Sequence, residues 1–393
     1  VVSAAEDSRT QNITQENADS QTDGNESQQD ETTQEQEDTD AEEYLDLIFK
    51  ELNLQDVDDF SEDVLPERMT LSGVTKTLLG SGISGIDATS LLEWVTDVFF
   101  YELAEAKPFF IQMLLCALLF SVCNRFFIDG KRYINHLSFL FIYGAMMILL
   151  LKSFLLVGDV VEEGIDMICD FMKMLIPAYA TTLLLSGNAA SAGAFYEMTF
   201  GILLLLTWAL KVVVIPGIHI FVLLCLMDHL LEEEKFSRLA DLIESGIAAL
   251  LKLALSGVIG FGVVQSLLTP AKDRISQSTL LKTLSVLPGV GNGFHFAQEV
   301  VLGCGMLVKN CVGAAGLILL LLICATPVVK VFSFHCLYRI LGAALEPVSD
   351  RRIVQGILGV ARGCGLYLKV MVDTMLFFMI AIAMVTASTS FVY

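Results

Sequence analysis

Long apolar runs alternate with short charged segments over most of this chain, and the clearest run lies between Lys309 and Lys330, KNCVGAAGLILLLLICATPVVK. Its twenty uncharged residues, at about 1.5 Å per helical residue, match a hydrocarbon core of about 30 Å and predict a membrane-spanning helix. Gly313, Ala314, Ala315 and Gly316 make the first half small enough for another helix to approach closely. Pro327 removes a backbone donor from the second half and predicts a bend there.

Similar runs precede and follow it. Pro108 opens a first span, FFIQMLLCALLFSVC, and Leu137 to Val157 forms a second. MLIPAYATTLLLSGNAASAG is short for a crossing and reads as a short span or a re-entrant hairpin. Phe200 to Leu231 is too long for one straight crossing, so Pro216-Gly217 should divide it into a hairpin or a sharply broken helix. Further spans are expected from Ile247 to Leu268 and from Leu366 to about Val385.

The polar positions complete the outline. From Ser3 to about Asp40 there is almost nothing apolar to offset the entropy of ordering, so residues 1–40 should form a disordered acidic tail. Residues 41–107 read as an extracytoplasmic amphipathic helical region, with Tyr44, Leu45, Ile48, Phe49 and Leu52, then Leu91, Leu92, Val95, Phe99 and Leu103, at helical spacing. The GSGISGID between these runs lacks the Lys-Ser/Thr of a phosphate loop and reads as a connector. Residues 108–393 form the multi-spanning domain. Within it DHLLEEEKFSRLADLIESG predicts a surface helix of mixed charge, GVGNG a turn after Pro288, and SDRRIVQGILGVARG a basic helix lying at the cytoplasmic interface. The fold class is all-α, a polytopic helical membrane protein.

Composition agrees. The chain of 393 residues is 54% hydrophobic and 18% charged, with a mean hydropathy of +0.64, which suits lipid as solvent. Of the net charge of -21, about -19 sits before Val64, where 21 acids meet two bases. The rest is nearly neutral and offers nothing basic to track a phosphate backbone, which argues against nucleic acid as a partner. Arg125, Lys131 and Arg132 follow the first span, so that end should be cytoplasmic and the N-terminal region outside. Asp159, Glu162, Glu163, Asp166 and Asp170 after the second span fit the same orientation. The opening VVSAAED resembles the small-residue end of a secretory signal. Nine cysteines, all after Pro108, sit in apolar surroundings without disulfide or zinc spacing and read as buried small hydrophobes.

No constellation of catalytic, cofactor-binding or metal-ligating residues is visible. The candidates are instead ionisable groups inside apolar sequence: Lys211, His219, Asp228, His229, Lys252, Lys309, Lys330, His335, Arg339 and Asp373. Charges at membrane depth face a cavity or a partner, unless they lie near a helix end and snorkel, as most of these and Lys152 are expected to do. Pro177 and Pro288, Pro216 and Pro327, and Cys225 and Cys336 are each about 111 positions apart, which points to an internal repeat with broken helices. Pro66 and Pro177 share that offset in contexts that do not match, and the parity of crossings per copy is left open. The repeat places His219, beside Pro216, opposite Lys330, beside Pro327, so these four residues mark either a water-lined path or a packing seam. It also sets Asp228 opposite Arg339, which suggests an ion pair.

The stretch from Lys309 to the arginines after Glu346-Pro347 resembles the stage III sporulation protein AE family of endospore-forming bacteria. The matching residues are Lys309-Asn310 before Val312-Gly313, Gly316-Leu317, Leu322-Ile323-Cys324, Pro327, Tyr338-Arg339 and Glu346-Pro347. LIPAYATTLLLSGNAAS and KFSRLADLI extend the likeness over most of the chain after about Ala88. The resemblance implies a signal peptide, an extracytoplasmic N-terminal region and a multi-pass body in the mother-cell membrane around the forespore. It implies a non-enzymatic core subunit of a transenvelope channel, with companion stage III sporulation proteins, including an ATPase, and a forespore-side membrane partner. The acidic tail departs from the family pattern and reads as a solvated linker. A self-sufficient secondary transporter is the main alternative, and an intramembrane enzyme a third.

Overall fold

The computed structural model describes residues 54–65, 69–80, 82, 88–126, 132–230, 236–284, 291–347, 349 and 351–390, which contain helices and no strand. The chain separates into a unit Val1–Gln55, of which only Leu54 and Gln55 are described, and a unit Asp56–Tyr393. The expected tail and the run from Tyr44 to Leu52 lie outside the described residues. The helices are α1 (Gln55–Val64), α2 (Leu71–Gly80), α3 (Ala88–Phe126), α4 (Arg132–Leu185), α5 (Ala189–Ala209), α6 (Ile215–Leu230), α7 (Ser237–Leu284), α8 (Gly291–Leu345) and α9 (Arg351–Ser390). Five stretches of described residues, within α4, α5 to α6, α7, α8 and α9, are long and apolar enough to cross a membrane. Large apolar side chains such as Leu118, Leu185, Phe200, Phe261 and Leu307 stand exposed on the bundle surface, as lipid contact requires.

Several expected boundaries are absent because the buried stripe continues through them. α4 joins the second span, the acidic segment and the following apolar segment into one helix of 54 residues, about 81 Å long. Val157, Val161, Ile165, Ile168 and Met172 stay buried at helical spacing while Asp159, Glu162, Glu163 and Asp166 point outward, so the charges change the exposed face without ending the helix. For the same reason SRLADLIESG, from Ser237, is the first part of α7, and the basic run from Arg351 is the first part of α9 rather than an interface-lying helix. In α9, Ile353, Ile357, Val360 and Cys364 are buried in the bundle. Pro108, Pro177 and Pro327 lie inside continuous helices. Of the GVGNG segment, Gly291 already starts α8, and the residues before it lie outside the described ones.

Pro216 does not turn the chain back. α5 and α6 form one rod through a π-helical turn, Leu210–Val214, closed by a bond from the Ile215 amide to the Leu210 carbonyl. The widened turn falls just before the residue that has no amide donor, so the break expected at Pro216 takes this milder form. The actual reversal is between α4 and α5. There Gly187 has φ 78°, and its amide donates to the Leu184 carbonyl while that of Asn188 donates to the Leu183 carbonyl, each at 3.0 Å. This is a Schellman cap, which needs a residue able to adopt the left-handed conformation.

From α4 onward, successive long helices run antiparallel. Asp166 meets Lys211, and Tyr143 donates to the Leu226 carbonyl at 2.8 Å, which sets α4 against the α5–α6 rod. A Cβ at Gly164 would lie 2.9 Å from Pro327, and one at Gly313 3.2 Å from Tyr179, which sets α4 against α8. The α5–α6 rod and α8 therefore point the same way, and each is followed by a returning helix, so the two segments related by the 111-residue offset share a direction rather than being inverted. The reversals between α6 and α7 and between α8 and α9 fall at one end of the bundle, where α4 also begins, and Ser186 to Asn188 lie at the other.

Candidate functional site

Several ion pairs lie in a waist around the middle of α4. Asp166 pairs with Lys211 at 2.5 Å, and Asp170 with Lys173 at 2.7 Å. Lys330 pairs with Glu102 at 3.2 Å. Arg362 reaches Asp241 at 3.1 Å, contacts Glu244 as well, and lies over the Phe221 ring at 5.3 Å. α4 links the two expected proline sites, because Gly158 meets His219 and Gly164 meets Pro327, six residues or about 9 Å apart along the axis.

Each expected residue has a definite place. Gly313 lies against Tyr179 and Thr386, whose hydroxyls bond to each other at 2.6 Å, and Gly316 against Leu175. This half of α8 is a packing face. Pro327 is buried against α4 at Gly164, where Met371 also packs, since a Cβ at Gly164 would be within 3 Å of both. Lys330 faces Glu102 of α3, a residue only 7% exposed, so the lysine neutralises a buried carboxylate. Pro216 is exposed, and His219 turns inward toward α4 and α9.

The expected pair of Asp228 with Arg339 is not formed. Buried Asp228 accepts the Phe236 amide at 2.7 Å and so caps the α6–α7 connection, while Arg339 is exposed on α8. Nor does Lys309 snorkel. It is 0% exposed, because α8 runs well past it and carries it inward. One turn before it, a Cβ at Gly305 would lie 2.9 Å from the Leu185 carbonyl; one turn after it, Gly313 touches the Tyr179–Thr386 pair. Lys309 therefore lies between the α4–α5 tip and that hydroxyl pair. Lys152 and Lys252 are exposed, and His335 Nδ1 is 2.9 Å from the Ala361 carbonyl.

Sequence reasoning missed Glu102, Gly158 and Tyr367. Phe154 stacks on Tyr367 with ring centroids 5.0 Å apart, and His219 meets both rings edge-on. Among the described residues, the Tyr367 hydroxyl and His219 Nε2 are enclosed without a hydrogen-bond partner. No group of three or more His, Cys, Asp or Glu side chains among them is placed to hold a metal ion.

A family model described as stage III sporulation protein AE matches residues 69–389. The stage III sporulation protein AE of Bacillus subtilis (strain 168) is 26% identical over 323 residues, covering 80% of this chain and 80% of that relative. No solved structure matches.

Proposed function

Because this chain belongs to the stage III sporulation protein AE family, we propose that it is a multi-pass core subunit, without catalytic activity of its own, of a sporulation-specific transenvelope channel between mother cell and forespore. The observation that carries the reading is the extent of the family match, 69–389, which takes in α2 to α9 almost completely. The helices add support. At 54 and 55 residues, or about 81 and 83 Å, α4 and α8 exceed a hydrocarbon core of about 30 Å more than twofold. Much of the bundle stands outside lipid, where other proteins can dock. Its partners are companion stage III sporulation proteins, including an ATPase that supplies the energy, and a membrane protein on the forespore side.

The subunit sits in the mother-cell membrane around the forespore. Arg132, Arg238, Arg351 and Arg352 fall near one and the same end of the bundle, which favours that end as cytoplasmic. The N-terminal region is extracytoplasmic and is delivered there by a signal peptide. Affinity purification of the full chain from sporulating cells tests the reading: the companions should copurify, and the purified chain alone should move no solute across vesicles. A self-sufficient secondary transporter draws on the enclosed polar atoms of His219 and Tyr367, and solute flux through the isolated chain would establish it in place of the channel subunit.

A further inference from the structure

Gly158 on α4, His219 on α6 and Tyr367 on α9 meet at one point of the waist. A Cβ at Gly158 would stand 2.9 Å from the Tyr367 hydroxyl and 3.0 Å from His219 Nε2, so the two polar atoms are less than about 6 Å apart. They do not bond to each other, and neither has another partner among the described residues. Tyr367 is 0% exposed. A phenol and an imidazole nitrogen that do not bond directly and lie within this bound can be joined by one bridging oxygen with two bonds of about 2.8 Å.

The surroundings select what bridges them. An anion is disfavoured, because Asp159 and Glu162 lie on α4 beside both groups. A divalent cation needs several carboxylate, carbonyl or water oxygens, or further imidazoles, whereas one phenol and one imidazole are offered here. The Phe154 and Tyr367 rings stack at 5.0 Å beside the α4 backbone at Gly158, and such close packing suits only the smallest ligand. A neutral molecule that both donates and accepts fits these limits. Part-exposed His219 gives it a way in from the surface.

We propose that Gly158, His219 and Tyr367 form a binding site for a single structural water that bridges His219 Nε2 to the Tyr367 hydroxyl and ties α4, α6 and α9 together at the waist. This site is independent of the channel role. Its water satisfies two buried polar groups at once, as enclosed waters do, and removing either group abolishes the bridge.

The test is thermal unfolding of the full chain in detergent, comparing Tyr367→Phe, His219→Phe and the double variant. With the water, Tyr367→Phe lowers the apparent Tm by roughly 2–4 °C, and the double variant loses no more than the worse single one, because the first change already releases the water. Without it, Tyr367→Phe removes an unsatisfied hydroxyl, and the Tm stays or rises; that result, or strictly additive losses, overturns the proposal. An experimental map at about 2 Å resolution gives a second reading. A compact peak within about 3.2 Å of both atoms supports the site, and a map clear elsewhere but blank there overturns it.

Discussion

Lys330 and Glu102 form a pair whose two halves differ in access to water, and this makes their removal unequal. Glu102 on α3 is 7% exposed, whereas the side chain of Lys330 is 32% exposed. In Lys330→Met the stem is kept and the charge is lost, which leaves a carboxylate enclosed against α8 without compensation. Breaking a fully buried pair in this way costs about 3–5 kcal/mol, and an exposed pair about 0–1 kcal/mol. The partial exposure of Lys330 sets the expected loss between these, near 2 kcal/mol. In Glu102→Leu the remaining ammonium can turn toward water on its flexible stem, so the loss should stay below about 1 kcal/mol. Combining the two removes the buried charge and should recover most of the Lys330→Met loss. The assay is thermal unfolding of the purified chain in detergent, where 2 kcal/mol corresponds to a few degrees. If Glu102→Leu is as damaging as Lys330→Met, or the double variant is worse than Lys330→Met, the pair is not a charge-neutralising contact and the reasoning fails.

Three further outcomes follow from the geometry. Gly187→Ala forces a β-carbon into the left-handed conformation of the α4–α5 cap, at φ 78°, and should cost about 1 kcal/mol in the same unfolding assay, while Gly193→Ala on open surface should be neutral or stabilising. Asp228→Ala releases the Phe236 amide and should cost about 1.5–3 kcal/mol, whereas Arg339→Ala should cost less than about 0.5 kcal/mol, and exchanging the two charges should give no rescue. Cysteines placed at exposed Ser237 and Glu346, near two reversals at the same end of the bundle, should react with a membrane-impermeant maleimide from one and the same side of the membrane; reaction from opposite sides contradicts the antiparallel order of α6 to α9.

The helical class and the crossing segments within α4 to α9 were legible in the sequence because each depends on local composition: a charge-free run such as 310–329 cannot be anything but buried or in lipid. Helix limits were less legible. Proline and clustered acids are end signals in isolation, yet Pro108, Pro177 and Pro327 sit within helices and Asp159 to Asp170 decorate the outer face of α4. What carries the helix past them is packing, the buried stripe from Val157 to Met172, and packing strength is not a property of the residues that interrupt the pattern. The π-helical turn before Pro216 shows the other side of this. The irregularity expected there exists, but it is absorbed in five residues, with α4 packed against both α5 and α6.

The candidate site was half legible, and the division has a physical origin. A sequence displays the groups that are costly in lipid, so Lys330 and His219 stood out, but it does not display what satisfies them. Glu102 lies 228 positions before Lys330, and Tyr367 is an ordinary aromatic residue in an apolar run. The repeat argument paired Asp228 with Arg339 by equivalence of position, but equivalent positions in two parallel segments point in the same direction along the bundle. They face different neighbours, as Asp228 on the α6–α7 connection and Arg339 on the surface of α8 do. Partners in an antiparallel bundle come from the neighbouring helix at the same height. At the waist that height is shared by Glu102, Gly158, Asp166, Lys211, His219, Lys330 and Tyr367, where α3 closes on α8 and where α4, α6 and α9 meet. A change in how α3 rests on α8 would thus be felt first at Lys330.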